Sequence, residues 1–329
     1  MMKEWIDDPN VNLIFKLLYA RERYTTEELN KLEEELSGVN RFFPQNKILN
    51  MLDNMADAPH RKMQKGDIIY RARTIDKYGE QAIFSGFYEE IFLLIKGVMP
   101  DFRQDLSNYE MMRVAKNLQK NKDKSLIFDE QFKKMIRKYE KKMWWGYNEQ
   151  ESGAPPVGKS SNGRVNPEGI CYLYTSNNLK TAALEVRPVL SQYVSIAEIE
   201  LTEDVLLFDF TTNYDYYEAQ KKFDQSVDFT VMGEYFSRPN YNGSSSYLVT
   251  QYISEYIKHM KNEEGKRIFD GLCFASSLDK DGLNYVLFDV SETKKYRVNN
   301  SSVYQTLDLL GNLKRILPFT EEIYMCCDN

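Results

Sequence analysis

One segment of this 329-residue chain, residues 163–188, constrains its fold more than any other: GRVNPEGICYLYTSNNLKTAALEVRP. Gly163 and the Pro-Glu-Gly run at 167–169 are typical of a turn. The apolar run 170–174 predicts a short buried strand, and residues 181–186 predict the start of a helix. A turn, a strand and a helix are therefore expected in direct succession.

Three polar side chains of this segment are candidate site residues, because the turn, strand and helix bring Arg164, Tyr174 and Glu185 toward one place. A guanidinium suits an anionic ligand, and a carboxylate suits a reaction centre that becomes positive. Structural alternatives stand beside each interpretation. Arg164 also fits a loop arginine that pins its own turn, and Tyr174 fits a core tyrosine with a hydrated hydroxyl. Glu185 also fits a partner for Arg187 at the helix end.

The composition is that of an ordinary globular protein, with 42% hydrophobic residues, 28% charged residues and a mean hydropathy of −0.56. No apolar run approaches the roughly 20 residues that span a bilayer, and the N-terminus, MMKEWIDDPN, does not have the pattern of a signal peptide. The four cysteines lack metal-ligand spacing. We therefore expect a cytoplasmic protein with free thiols and no membrane partner.

Two further counts limit the chemistry. With only two histidines, a histidine-based triad or a histidine-rich metal site is not expected, so we predict no metal. The net charge of −6 gives no overall attraction to nucleic acid.

The pattern along the chain predicts an N-terminal helical region over residues 1–64 and a second domain over 65–325 that contains a helical insert at about 77–145. Within the first region, Thr25 and Glu28 form a capping-box pattern before an apolar run. In the insert, residues 113–142 carry eleven Lys or Arg against four Asp or Glu. A solvated helix face explains that stretch more simply than a binding surface for an acidic partner.

The order of elements is mixed, so we predict an α+β fold around a largely antiparallel or split sheet. Strands are expected at 67–72, 170–174, 194–199, 205–210, 271–275 and 284–289. Helices are expected at 181–186 and 247–261, the second with Leu248, Tyr252, Tyr256 and Met260 on one face.

No dinucleotide-binding, P-loop, zinc-protease or serine-hydrolase motif is present. Arg71 lies at the end of the first predicted strand of the second domain. Ser276 follows a predicted strand, and Asn284 begins the next. Alone, Ser276 fits either a turn cap or a hydrogen-bond donor to a ligand.

Several separated blocks, taken in order, resemble the RES family, which is named for its Arg, Glu and Ser. They are IYRAR (69–73), the two prolines at 155–156, GRVNPEGICYLY, TAALEVRP, TQYISEYIK (250–258) and FASSLDKDGLNYVLF, and they span about residues 66–290. The functional residues of the family fall, block by block, on Arg71, Arg164, Tyr174, Glu185 and Ser276. Compact toxins of the family have Trp where Val165 stands, and the GRVNP form resembles longer members with an N-terminal helical extension.

The resemblance implies a fold related to ADP-ribosyltransferases and the degradation of NAD⁺ by bacterial toxins of toxin–antitoxin pairs. NAD⁺ is then a substrate, and no prosthetic group is implied. Arg71 and Arg164 would hold the pyrophosphate, and Glu185 would stabilise the oxocarbenium-like ribose. Tyr174 and Ser276 would contact and orient that ribose, and we add Asn284 as a further NAD⁺-binding candidate.

The acceptor stays open, since water, phosphate and a protein side chain all fit the same pocket. The leading interpretation is an NAD⁺ glycohydrolase or phosphorylase that acts as a toxin or defence effector. The second is a protein mono-ADP-ribosyltransferase, and the third is a non-catalytic module that binds a polyanion or a protein through the basic insert. A toxin would need restraint by an antitoxin, a regulatory protein or its own N-terminal helix, and a homodimer also stays open.

Overall fold

The computed structural model describes residues 9–75, 77–103, 106–120, 125–142, 146–214, 216–238, 247–288, 295–308 and 310–316. Its helices are α1 (Pro9–Gly38), α2 (Lys47–Met55), α3 (Lys77–Val98), α4 (Asn108–Lys120), α5 (Ser125–Lys142), α6 (Leu179–Glu185), α7 (Tyr216–Lys221), α8 (Phe223–Ser237) and α9 (Leu248–Lys258). Its strands are β1 (Arg61–Met63), β2 (Ile68–Thr74), β3 (Leu173–Ser176), β4 (Tyr193–Leu201), β5 (Val205–Asp209), β6 (Gly271–Ala275), β7 (Leu283–Leu287), β8 (Tyr296–Thr306) and β9 (Leu313–Ile316).

Helices and a mixed sheet together make this an α+β fold, as the sequence predicts. Strands β5 and β6 are parallel. The pairs β1–β5, β2–β3, β3–β7, β6–β7 and β8–β9 are antiparallel. Helices α3, α4 and α5 lie within residues 77–145.

The chain divides into two compact units, the first made of Met1–Arg71, Gly153–Glu185 and Glu198–Asn299, and the second of Ala72–Ser152, Val186–Ala197 and Asn300–Asn329. Strand order in the first unit is β1-β5-β6-β7-β3-β2, and in the second it is β2-β4-β8-β9. Helices α1 and α2, which belong to the predicted N-terminal region, fall in the first unit with β3, β6 and β7. The domain boundaries at 64 and 77–145 stay predictions.

The core of the first unit forms where α1, α2, α8 and α9 contribute to one apolar cluster with the central strands. Register sets Phe208, Leu272 and Val286 side by side on β5, β6 and β7, and each of the three is fully buried. Side chains alternate along a strand. Residues two positions before or after this apolar row therefore share the helix-covered face with it.

Helix α1 is continuous, so the capping box predicted at Thr25 and Glu28 is wrong. The Thr25 hydroxyl is buried and donates to Asp228 Oδ1 of α8 at 2.6 Å. Arg21 donates to both oxygens of the same carboxylate, at 3.0 and 2.6 Å. A polar side chain that looks like a helix start can therefore lie mid-helix, because tertiary partners satisfy it.

The apolar face of α9 is displaced by one position from the prediction. Its most buried apolar residues are Val249, Ile253 and Ile257, spaced four apart. The predicted stripe lies at the edge of the cluster, with Leu248, Tyr252 and Tyr256 partly buried and Met260 buried just beyond the helix.

The second unit has its own helical core, which buries Phe128, Phe132, Met135 and Ile136 of α5. Their spacing in the sequence predicts a single helical face that would also include Tyr139 and Met143, whose side chains lie outside the described residues.

The sequence predicts free thiols and no membrane-spanning helix. Cys171 and Cys273 are free thiols, while Cys326 and Cys327 lie outside the described residues. Among the helices that the structure describes, none combines the length and the apolar character that crossing a membrane requires.

His60 lies in an aromatic pocket and is held as a neutral imidazole. Its Nδ1 accepts from the Asp209 backbone N–H at 3.1 Å, so its Nε2–H is the donor to the Met55 carbonyl oxygen, also at 3.1 Å. The rings of Phe208 and Phe269 lie 4.4 and 4.7 Å from the imidazole centroid. Burial lowers the pKa of His60.

This environment predicts a pH-dependent stability. Because the pKa of His60 is lower in the folded state, the unfolded chain binds the extra proton first as pH falls below about 6.5. We expect the free energy of unfolding of the wild type to fall by about 1 kcal/mol more than that of His60→Gln between pH 8 and pH 5. Urea titrations of both proteins at the two pH values measure this, and parallel losses would contradict it.

Candidate active site

The ends of three strands meet at one edge of the sheet in the first unit. Ser176, the last residue of β3, is paired with Asn284 of β7, and Asn284 is also paired with Phe274 of β6. Ser276 directly follows β6. The chain therefore brings polar residues from three separate sequence segments to a single point.

Glu185, the last residue of α6, extends its carboxylate to this point. Its Oε1 accepts a hydrogen bond from Ser276 Oγ at 2.6 Å and a second from Asn284 Nδ2 at 2.7 Å. Ser176 Oγ in turn donates to Asn284 Oδ1 at 2.9 Å, which fixes the orientation of the amide. One carboxylate oxygen is thus held by two donors, one of them itself held by a third residue.

The position of α6 depends on the turn between β6 and β7. Asn178 Oδ1 accepts from the Thr181 backbone N–H at 2.8 Å, and Thr181 Oγ1 donates to Asp279 Oδ2 at 2.6 Å. The Thr181 hydrogen bond lowers the pKa of Asp279. A Cβ at Gly282 would lie 2.7 Å from the Thr181 side chain. The turn and the helix that carries Glu185 therefore hold each other in place.

The Arg164 turn is built around a buried amide. Asn166 is 1% exposed, and its Oδ1 accepts from the Tyr174 hydroxyl at 2.7 Å. The same hydroxyl accepts from the Val165 backbone N–H at 3.0 Å. The other end of the amide, Nδ2, is within 3.0 Å of oxygen atoms of Ser160, Ser161, Pro167 and Ile170.

Tyr174 therefore serves the turn with its hydroxyl. Burial raises the pKa of Tyr174, so the phenol stays protonated and keeps donating to Asn166. Direct contact of this hydroxyl with a ligand stays a prediction.

Arg164 itself is half-buried. Its Nη1 donates to the carbonyl oxygen of Phe236 near the end of α8, and its guanidinium carbon lies 5.8 Å from the centroid of the Tyr247 ring. Within the described ranges no carboxylate pairs with it. A guanidinium has five N–H donors, so a half-buried positive charge with this much donor capacity is suited to an anionic ligand.

The β3 residues that support the Arg164 turn and the partner of Glu185 share one face of the sheet. Tyr174 and Ser176 are alternate residues of β3, so they share a face and stand about 7 Å apart along the strand. Tyr174 supports the turn of Arg164, and Ser176 supports the partner of Glu185. The residues that support Arg164 and Glu185 are thus only two positions apart on one strand.

The family model of the RES domain matches residues 136–309, which is more than half of the chain. The chain belongs to the RES family. Comparisons with curated proteins and with solved structures give no match. RES is an NAD⁺-related domain family, and the α+β architecture is consistent with an ADP-ribosyltransferase-like fold.

The RES match includes all the candidate residues except Arg71, which lies before it. Register sets Tyr70 opposite Ser176, and alternation turns the neighbouring Arg71 away from that face. Arg71 has partners of its own. Its proposed part in binding the pyrophosphate stays a prediction, and the structure does not place it with Glu185.

The sequence suggested Arg187 as a partner for Glu185. Arg187 is instead exposed, with φ 48°, and the donors to the Glu185 carboxylate are Ser276 and Asn284. Sequence reasoning missed the partners that support the candidate site, above all Ser176 and Asn166. Both lie in the segment 163–188, but a serine or asparagine side chain often bonds nearby backbone, so the sequence does not reveal a distant partner. Only the strand register identifies Ser176 as a partner of Asn284.

The contact between Asn284 and Glu185 predicts the effect of an isosteric change. Asn284→Asp would replace a donor at 2.7 Å by a second carboxylate, and two ionised carboxylates at contact repel each other. We expect the variant to lose about 2 kcal/mol of unfolding free energy at pH 8 and less at pH 5, where one proton can be shared.

A double-mutant cycle with Glu185→Gln in urea isolates this pair. The loss at pH 8 should largely disappear in Asn284→Asp/Glu185→Gln, because the second charge is gone. A loss independent of pH and of residue 185 would refute the contact.

Proposed function

We propose that this RES protein cleaves the nicotinamide–ribose bond of NAD⁺, as a glycohydrolase with water as acceptor or a phosphorylase with phosphate. One observation carries the proposal: Glu185 is fixed through a single oxygen by Ser276 and Asn284, on the strand face that also supports Arg164. The arrangement has a cation for the anionic part of the substrate and a carboxylate for the reacting sugar.

Arg164 would bind the pyrophosphate. A guanidinium matches phosphate oxygens in a bidentate geometry, and the half-buried position weakens competition from water. The aromatic ring of Tyr247 lies beside the guanidinium, and the edge of the guanidinium would bind the phosphate oxygens.

Glu185 would act on the ribose. Cleavage breaks the bond between the anomeric carbon and the nicotinamide nitrogen, and the bonding pair leaves with nicotinamide, which departs neutral. The sugar then has the character of an oxocarbenium ion, and a fixed carboxylate stabilises that charge without reorganising. Because both of its donors reach Oε1, Oε2 is the atom we assign to the sugar. Water or phosphate then forms the new bond to the anomeric carbon, and water loses its proton to solvent.

The leaving group needs no proton, so the reaction requires no strong general acid. This agrees with a site made of Arg, Glu, Ser and Asn, in a chain with only two histidines. His60, one of the two, is enclosed by aromatic rings and bonded to backbone on both nitrogens.

In a cell this activity would deplete NAD⁺, which suits a toxin or defence effector in the cytoplasm and would require an antitoxin or another restraint. A protein acceptor would make the same site a mono-ADP-ribosyltransferase. In the non-catalytic alternative the basic insert binds a polyanion. That alternative does not account for the fixed carboxylate of Glu185.

The experiment is to incubate the purified protein with NAD⁺, with and without phosphate, and to follow the products by mass spectrometry. Nicotinamide with ADP-ribose identifies a glycohydrolase, and nicotinamide with ADP-ribose 1″-phosphate identifies a phosphorylase. A labelled protein band from tagged NAD⁺ would indicate the transferase. Untouched NAD⁺ in all arms would refute the proposal.

Glu185→Gln tests the role of the carboxylate. Glutamine keeps an oxygen that can accept from Ser276 and Asn284, so the fold and NAD⁺ binding should be retained, while the charge is lost. We expect kcat to fall roughly 10²–10³-fold with little change in the dissociation constant measured by calorimetry. Near-normal turnover would remove Glu185 from its assigned role.

A further inference from the structure

The first turn of α9 contacts the Arg164 turn through side chains, although the two are separated in the sequence. Thr250 Oγ1 donates to the carbonyl oxygen of Arg164 at 2.6 Å. Gln251 Nε2 lies 2.7 Å from both Asn162 Oδ1 and the Gly163 carbonyl oxygen, and 3.0 Å from the Asn166 carbonyl oxygen. We infer that Thr250 and Gln251 are positioning residues, which fix the turn so that Arg164 is held ready to bind an anionic ligand.

Burial supports this role. Thr250 is 3% and Gln251 is 8% exposed, although polar residues in the first turn of a helix usually face water. A buried amide or hydroxyl costs free energy unless it is hydrogen-bonded. Here both side chains direct their donors to the Arg164 turn, so their burial depends on that turn having its present conformation.

Together with Asn166, the pair reaches many of the backbone carbonyl oxygens between residues 161 and 170. The two α9 side chains lie within hydrogen-bonding distance of the carbonyl oxygens of Gly163, Arg164 and Asn166, and the Asn166 amide nitrogen lies within 3.0 Å of those of Ser161, Pro167 and Ile170. A Cβ at Gly163 would lie 2.4 Å from Asn166 Oδ1, so the turn is also closely packed. The backbone of Arg164 is thereby fixed on both sides.

A fixed backbone matters because a flexible arginine loses conformational entropy when it binds. Ordering a side chain on binding costs roughly 0.5–1.5 kcal/mol, which corresponds to about a 2–10-fold change in affinity. The inference rests on the proposed function for the identity of the substrate, but the geometry requires only that Arg164 binds an anion. The role also explains the block TQYISEYIK, which contributes no residue to the reacting centre.

The test uses two variants of Thr250 that each remove a different group. Thr250→Val replaces the hydroxyl by a methyl group and keeps the shape, whereas Thr250→Ser keeps the hydroxyl and removes the methyl group. For NAD⁺ turnover we expect Thr250→Val to raise KM about 5–10-fold with kcat within about 2-fold, and Thr250→Ser to stay near the wild type. Thr230→Val is the matched control, since its hydroxyl donates only within the exposed face of α8, and it should leave KM unchanged.

A second readout does not depend on turnover. Calorimetry with inorganic pyrophosphate should show weaker binding to Thr250→Val by the same factor, and hydrogen exchange at the amides of residues 163–166 should be faster. Gln251→Met, which removes the amide and keeps the length, should behave as Thr250→Val does. If the wild type binds pyrophosphate with this dependence but does not turn over NAD⁺, the proposed function fails and the positioning role stands.

Three results would overturn the inference. Unchanged KM and unchanged pyrophosphate binding in both Thr250→Val and Gln251→Met would show that the Arg164 turn keeps its conformation without these two side chains. A fall in kcat with constant KM would show that Thr250 and Gln251 affect the chemical step and not the binding of the substrate. A defect that Thr250→Ser shares with Thr250→Val would show a packing role without the hydrogen bond.

Discussion

The site depends on one constraint, which is that a carboxylate at the end of a short helix needs donors fixed in direction. Glu185 Oε1 receives two such donors, and both come from residues at strand ends. Strand register sets the position of Ser176, Ser176 orients Asn284, and Asn284 orients Glu185. The apolar row across β5, β6 and β7 determines the register, since a slip of one residue would turn every buried side chain to the other face.

The same physical requirement shapes the Arg164 turn. A turn of Gly, Asn and Pro has many backbone carbonyls, and burying them is possible only when donors reach them. Asn166, Thr250 and Gln251 supply those donors from the turn itself and from α9, and the Tyr174 hydroxyl on β3 accepts from the Val165 backbone N–H. Arg164 is left with its charge uncompensated by any carboxylate of the described residues, which distinguishes it from Arg21, whose charge is paired with Asp228.

Much of the fold could be predicted from periodicity. The strand at 271–275 has the predicted bounds, and most others differ by one or two residues, because their apolar runs are bounded by turn residues. The strand at 170–174 instead begins at Leu173 and extends to Ser176, since residues 170–172 leave the ladder near the buried Asn166. Helix α8 was not predicted: its buried residues include Asp228, and a buried carboxylate breaks the apolar pattern on which such a prediction depends.

By itself, the sequence determined the α+β class and the order turn–strand–helix, because local propensity is a property of the chain. It also named Arg164, Glu185, Ser276 and Asn284 as candidate site residues. It could not determine what each polar group bonds. Tyr174 donates into a turn, Thr25 pairs with a distant carboxylate, and Asn284 holds Glu185. These partners are separated by 8 to 203 residues. Only the tertiary structure decides such pairings, since a buried polar group takes whichever donor or acceptor the packed core brings within about 3 Å.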